Sequence, residues 1–161
     1  IDDMELIKNK DIVAVFVGKG NEKEKLMNDA NKQGLNNVYF LDPVDKRMVP
    51  SLLKEMDVLY LGGKNQPLYQ YGTSQTKLFD YMQAAKPVIQ TISPPNNYVA
   101  EAQCGITIVG DGALAVANGI EKMMNYSKQE LGEMGMRGKL YCNSHFNYRK
   151  LSFDFMKYIN E

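Results

Sequence analysis

Five short apolar runs, Ile12 to Val17, Val38 to Leu41, Val58 to Leu61, Val88 to Ile92 and Ile106 to Val109, recur along this chain with turn residues on either side. They are too continuously apolar for strands with a wet face, so they read as buried strands of a parallel sheet. The segments between them, about Glu22 to Gln33, Arg47 to Met56, Ser74 to Ala85 and Asn96 to Gln103, read as covering helices. This alternation predicts an α/β fold with a Rossmann-like doubly wound parallel sheet. After the last strand the chain turns helical. Helices are expected at about Gly112 to Asn125, at Ser127 to Asn143 behind the capping box Ser127-Lys128-Gln129-Glu130, and at Tyr148 to Ile159. The last carries Tyr148, Leu151, Phe155, Met156 and Ile159 on one face, which calls for a packing partner, and a second copy of the chain would supply one.

Composition narrows the classes. With 161 residues, 44% of them hydrophobic, the chain can bury the core of one compact domain. Nineteen basic residues balance nineteen acidic ones, so no overall field favours a nucleic acid, and none is expected as a partner. Cys104 and Cys142 stand in no metal-ligand spacing and point to a reducing compartment, the cytoplasm. His145 is the only histidine, which excludes a His-rich metal site and leaves it a capping or surface role behind a helix. No apolar run approaches the roughly 20 residues of a membrane span, and no secretory leader opens the chain. Ile1 is not a natural start, so a fragment is expected.

The chemistry concentrates in Gly72-Thr73-Ser74-Gln75-Thr76-Lys77-Leu78-Phe79-Asp80-Tyr81-Met82. A long loop from Gly62 to Thr73 leaves the carboxyl end of a strand, where ligands of open α/β sheets bind. Ser74 reads as the N-cap of the helix that follows, with Leu78, Tyr81, Met82 and Ala85 as its core stripe and Lys77 and Asp80 off that stripe. Amides at a helix start, the helix dipole and an ammonium group suit a phosphorylated ligand, and Asp80 offers acceptors to a sugar hydroxyl. The competing reading of Lys77 and Asp80 is an exposed ion pair.

Gly18-Lys19-Gly20 behind the first strand, with Asp42 as a ribose partner, invites a dinucleotide reading, but Lys23 stands where that fingerprint needs its third glycine, and a plain strand-ending turn explains the loop as well as a nucleotide pocket does. Leu41-Asp42-Pro43-Val44 ends the next strand at the same sheet edge. Between it and the Gly18 loop a base could slot, although a proline turn explains the segment equally well. Asp-x-Asp, Gly-x-x-x-x-Gly-Lys-Ser/Thr and Gly-x-Ser-x-Gly are all missing, which leaves no sign of a divalent-ion carboxylate pair, a P-loop or a nucleophile elbow.

The blocks Val13 to Glu22, Asn37-Val38-Tyr39-Phe40-Leu41, Asp57-Val58-Leu59-Tyr60, Gly72-Thr73-Ser74 through Lys77-Leu78-Phe79-Asp80-Tyr81-Met82, and Lys86-Pro87-Val88-Ile89 carry a family resemblance. In order and spacing they resemble the C-terminal half of a family-4 (group 1) retaining glycosyltransferase of the GT-B fold, of the bacterial capsule, O-antigen and exopolysaccharide type. The resemblance implies a nucleotide-sugar donor, a UDP-sugar or GDP-sugar, with no metal and no other cofactor. It also implies an acceptor glycan or lipid-linked sugar bound by an N-terminal domain outside this chain, and a location peripheral to the inner membrane face. The second glutamate of the family's Glu-x7-Glu pair, which grips the ribose, falls on Asp80; the first, which touches the donor sugar, falls on Gly72.

By the same resemblance the amides of Thr73 to Thr76 together with Lys77 would meet the charge on the leaving β-phosphate. The strip Gly18, Lys19, Gly20, Leu41, Asp42 and Val44 would line the nucleotide pocket. Alone, the chain is expected to bind donor weakly and not to turn over. The family's strand order 3-2-1-4-5-6 would put the central strand before Ile1, and the gap is expected to close by pairing of this chain's first and third strands or by a neighbouring chain. Half of a nicotinamide-dependent dehydrogenase and a non-catalytic α/β interaction module are the alternatives.

Overall fold

A computed structural model describes residues 1–7, 11–64, 66–108, 110 and 112–159. Along the chain run α1 (Asp2–Leu6), β1 (Ala14–Val17), α2 (Lys23–Lys32), β2 (Val38–Leu41), α3 (Val49–Glu55), β3 (Leu59–Leu61), α4 (Thr76–Gln83), β4 (Val88–Gln90), α5 (Tyr98–Glu101), β5 (Gly105–Thr107), α6 (Ala113–Met124), α7 (Lys128–His145) and α8 (Tyr148–Ile159). Single 3-10 turns at Lys46–Met48 and Pro67–Tyr71 complete the described elements. All five expected strands form, and all pair in parallel. Val109, expected to end the fifth, lies outside the described residues.

The elements gather into two compact units, Ile1–Val49 with Gly110–Asn125, and Pro50–Val109 with Tyr126–Glu161. In the first, β1 pairs with β2 from Ala14 opposite Val38 to Val17 opposite Leu41. Met4 of α1, Ile7 and Ala117 of α6 form its buried core, with Ile12, Ala14, Leu35, Val38 and Ile120 packed against them. The rings of Phe16 and Phe40, opposite each other in the register, stack with centroids 5.1 Å apart.

The expectation of strands without a wet face fails here. Phe16, Tyr39 and Leu41 are exposed, and β2 alternates half-buried and exposed residues along its length. Each strand of a two-stranded ribbon has a single neighbour, and this small core covers one side of each.

In the second unit the order is β3-β4-β5, and the central β4 is buried at all three residues. In β4 continuous hydrophobicity does mean burial on both faces, whereas β3 keeps Tyr60 exposed between buried Leu59 and Leu61. Leu61, Leu78, Met82, Val88, Val99, Ala102, Cys104 and Cys142 form the core. Around it the rings of Phe79, Tyr98, Tyr141 and Phe146 pack together, Phe146 lying tilted at 4.7 Å from Phe79 and edge-on at 4.9 Å from Tyr98 between centroids. Two glycines let α7 approach closely: a Cβ on Gly135 would fall 2.0 Å from the Ala85 carbonyl oxygen, and one on Gly138 2.9 Å from the Cβ of Cys104.

The anticipated pairing of the first and third strands is not made among the described residues. β1 has β2 as its hydrogen-bonded neighbour and β3 has β4, so each ends its own sheet.

Beyond β5 the helices fall close to their expected bounds. Ser127 accepts from the Glu130 amide at 3.2 Å while Glu130 accepts from the Ser127 amide at 2.7 Å, closing the capping box and holding the Glu130 carboxyl below its usual range. His145, at the last turn of α7, places Nδ1 3.0 Å from the Tyr141 carbonyl and stacks on the Tyr141 ring, the capping role expected of it. α8 has no buried residue; Tyr148, Phe155 and Ile159 stand in solvent.

Candidate functional site

The second unit gathers polar side chains at the carboxyl edge of its sheet. The chain leaves β3 through Gly62 and Gly63, makes the 3-10 turn Pro67–Tyr71 behind Gln66, and reaches Gly72 at φ +99°, a conformation that favours glycine. Much of the expected loop is therefore a wound turn, closed by the Gly72 amide donating to the Tyr69 carbonyl at 3.0 Å. Tyr71 and Leu68 are exposed on it.

Gly72 meets a partner that sequence reading did not single out. Asn96, in the loop after β4, accepts the Thr73 amide on Oδ1 at 2.9 Å and donates from Nδ2 to the Thr73 carbonyl at 2.7 Å. The Thr73 amide, expected to face an anion, is thereby committed to a side chain.

The helix also starts later than expected. Gln75 at φ −103° is the N-cap and makes no side-chain cap, so Ser74 lies one residue outside and α4 begins at Thr76. Leu78 donates to the Gln75 carbonyl at 3.0 Å, while the amides of Ser74, Gln75, Thr76 and Lys77 have no partner among the described residues. The Gln75 Oε1 atom is itself buried without a partner.

Lys77 and Asp80 are both exposed, and neither makes an ion pair among the described residues, so the exposed-pair reading of these two is not what the fold realises. Their stripe partners Leu78 and Met82 are buried, which fixes α4 with Lys77 and Asp80 outward. Burial, and then the charge of Asp80, push the neighbouring Tyr81 hydroxyl above its ordinary value.

Behind this edge lies a hydrogen-bonded floor. Thr91 Oγ1 accepts from the Gly63 amide at 2.8 Å and donates to the Gly63 carbonyl at 2.9 Å. Buried Gln90 donates from Nε2 to the Ile92 carbonyl at 2.6 Å and to Asn97 Oδ1 at 3.3 Å, and Asn97 donates to Thr107 at 2.9 Å while capping α5 through the Ala100 amide. Thr91 and Asn96 thus tie the segment after β4 to the loop after β3, and Gln90 and Asn97 tie it to Thr107 at the end of β5. The doublet Asn96-Asn97 behind Pro94-Pro95 carries a turn-and-cap signal that could have marked the place.

The remaining expected residues belong to the first unit. Gly18, at φ +149°, donates its amide to the Leu41 carbonyl at 3.2 Å, which joins the Gly18 loop to the end of β2. Lys23 reaches the same place: its ammonium donates to the Leu41 carbonyl and to Asp42 Oδ1, each at 3.0 Å. The side chain that spoils the dinucleotide fingerprint therefore also pairs with one oxygen of the carboxylate expected to meet a ribose, which stays exposed. Lys19, Gly20 and Val44 are exposed.

Residues 1–126 match the profile of a protein family described as "Glycosyl transferases group 1". The chain belongs to that family. No curated protein matches it. Among solved structures, HepE (Alr3699) of Anabaena in complex with UDP superposes with a TM-score of 0.79 at 16% identity, over 99% of this chain and 43% of HepE. HepE in complex with UDP-glucose gives 0.76 over the same shares. Sucrose-phosphate synthase from Thermosynechococcus elongatus gives 0.74 at 15% identity, over 91% of this chain and 37% of the synthase. The chain thus spans about two fifths of the length of these proteins and has the fold of the C-terminal domain of a GT-B glycosyltransferase. Among the described residues no helix of this group 1 chain is long and apolar enough to cross a membrane.

Proposed function

We propose that this chain is the donor-binding part of a glycosyltransferase and takes a nucleoside-diphosphate sugar, a UDP-sugar or GDP-sugar, at the start of α4. One observation carries the reading. The run from Ser74 to Lys77 leaves its amides and an ammonium group uncommitted at the carboxyl edge of a parallel sheet, in a group 1 transferase fold whose solved neighbour HepE holds UDP. Backbone amides at a helix start and a fixed positive charge favour a diphosphate, and Asp80, one turn along the same helix, accepts from ribose hydroxyls.

In the transfer, the bond from the anomeric carbon to the β-phosphate oxygen breaks, its electron pair staying on that oxygen. The acceptor hydroxyl oxygen bonds to the anomeric carbon, and its proton passes to the departing diphosphate, whose β-phosphate oxygen carries that electron pair. Lys77 and the amides of Ser74 to Thr76 stabilise the charge on the departing diphosphate, each charge-assisted hydrogen bond contributing about 1.5–3 kcal/mol. Retention of anomeric configuration, a metal-independent reaction, and a place in cell-surface polysaccharide synthesis in the bacterial cytoplasm complete the proposal. The acceptor is a glycan or lipid-linked sugar held by another part of the protein.

Thermal shift and calorimetry on this chain with UDP, GDP and NAD test it. A nucleoside diphosphate at a hundred times its Kd stabilises the folded state by about 2.7 kcal/mol, and NAD has no effect. Lys77→Ala and Asp80→Ala each weaken binding at least tenfold. Stabilisation by NAD alone would overturn the donor reading.

A further inference from the structure

We propose that Asn96 is the positioning residue of the donor site: its carboxamide sets the backbone of Thr73 so that the amides of Ser74 to Lys77 converge on the diphosphate. This rests on the donor reading above and adds to it a residue in a different loop, which need not touch the ligand itself.

Three observations carry it. First, the Asn96 side chain consumes both backbone groups of Thr73, accepting its amide at 2.9 Å and donating to its carbonyl at 2.7 Å, as a neighbouring strand would. A residue held at both its N–H and its C=O has little freedom to turn, and the peptides that follow inherit its orientation.

Second, Gly72 is shaped around the same group. A Cβ built there would meet Asn96 Oδ1 at 3.0 Å and Cγ at 3.4 Å, and the glycine's φ of +99° is one that other residues adopt only under strain. The glycine in front of the site and the asparagine beside it are two halves of one fitting.

Third, Asn96 stands on rigid support. It precedes Asn97, which caps α5 and is itself held by Gln90 and Thr107, and it follows β4, the buried middle strand of the sheet. A clamp mounted on the sheet lowers the ordering cost that the loop would otherwise incur on meeting an anion.

The consequence is a division of the ligand. The part of the affinity that comes from the diphosphate depends on Asn96, and the part that comes from the nucleoside does not. Asn96→Asp has the size of the native side chain and keeps an acceptor for the Thr73 amide, but it sets a carboxylate oxygen against the Thr73 carbonyl. Asn96→Ala removes both hydrogen bonds. Gly72→Ala presses on the clamp from the other side.

Calorimetry with UDP and with uridine (GDP and guanosine where the wild-type chain prefers guanine), beside the melting temperature of each unliganded variant, tests the assignment. The expected result is a Kd for the diphosphate raised tenfold or more in Asn96→Asp and Asn96→Ala, with the nucleoside Kd changed less than twofold. In addition, Gly72→Ala and Asn96→Ala together should lose no more than the worse of the two alone.

Equal losses for nucleotide and nucleoside would show a merely structural asparagine and overturn the assignment, as would unchanged diphosphate affinity in all three variants. Should Asn96→Ala or Gly72→Ala fail to fold, the isosteric Asn96→Asp decides alone. A wild-type chain that binds no nucleoside diphosphate would overturn the donor reading, and this inference with it. A wild type that binds while the variants bind equally well overturns this inference alone.

Discussion

Two glycines three residues apart on α7 should respond to alanine with opposite signs. A Cβ at Gly135 would lie 2.0 Å from the carbonyl oxygen of Ala85, 2.4 Å from its carbonyl carbon and 2.9 Å from the Lys86 nitrogen, whereas a Cβ at Gly132 has nothing within 4 Å. Alanine in a helix interior is favoured over glycine by about 0.5–1 kcal/mol, and at Gly132 that gain stands alone. At Gly135 the gain is set against overpacking, which costs about 1–3 kcal/mol. The neighbours are backbone atoms of the turn between α4 and β4, which cannot swing aside as a side chain can, so the upper part of that range applies.

Gly135→Ala should therefore destabilise by about 1–2 kcal/mol net and Gly132→Ala should stabilise by about 0.5–1 kcal/mol. At about 2–4 °C per kcal/mol for a chain of this size, the first lowers the melting temperature by about 2–8 °C and the second raises it by about 1–4 °C. Thermal unfolding followed by circular dichroism, with denaturant midpoints as a cross-check, reads both. A Gly135→Ala chain that melts at or above the wild type would refute the claim that α7 sits backbone to backbone on that turn. Equal shifts of one sign in the two variants would refute the geometric distinction between them.

Alkaline pH should destabilise the second unit through a buried thiol. Burial raises the Cys104 thiol to about 11, against the weaker opposite pulls of its own backbone hydrogen bond and the Arg137 charge. In the unfolded chain it ionises near 8.5. Because the folded value is the higher, the contribution is fully present below about pH 8.5 and is lost as pH rises toward 11. Urea midpoints at pH 8 and pH 10.5 should fall less in Cys104→Ala than in the wild type. The Tyr141 hydroxyl, pushed up to about 12 by desolvation and by its bond to Glu101, adds a slope of the same sign that this substitution leaves in place. Ser127→Ala breaks the capping box of α7 and should cost about 1 kcal/mol, with Glu130→Ala on the same background adding less than it does alone. Full additivity of the two would show that the box does not act as a unit.

Much of this architecture is legible in the residue pattern. Val38 to Leu41 and Tyr148 to Ile159 form over the expected bounds, and Ser127 with Glu130 makes the box their spacing announces. Local signals of this kind need no knowledge of neighbours. The start of α4 shows the limit: Ser74 is the better N-cap by side-chain chemistry, yet the chain caps at Gln75. The clamp on Thr73 comes from a residue 23 positions away, and that contact fixes the backbone just before the helix.

The burial of the strands divides in the same way. Apolar continuity alone cannot separate Val88 to Gln90, covered on both faces, from Val38 to Leu41, which keeps Tyr39 and Leu41 in water. Only what packs on each face of the strand does that.

From the order of residues alone came the parallel α/β alternation, the helical tail, the glycine turn before α4 and the lysine and aspartate that α4 turns outward, because periodicity, capping and backbone freedom act within a few residues along the chain. Tertiary structure alone decided that Lys23 pairs with Asp42, that Asn96 holds Thr73, that Gly135 rests on Ala85, and which amides before α4 have no partner among the described residues. A hydrogen-bonding group is free or committed according to what the fold brings within about 3 Å of it, and no spacing in a sequence reports that distance.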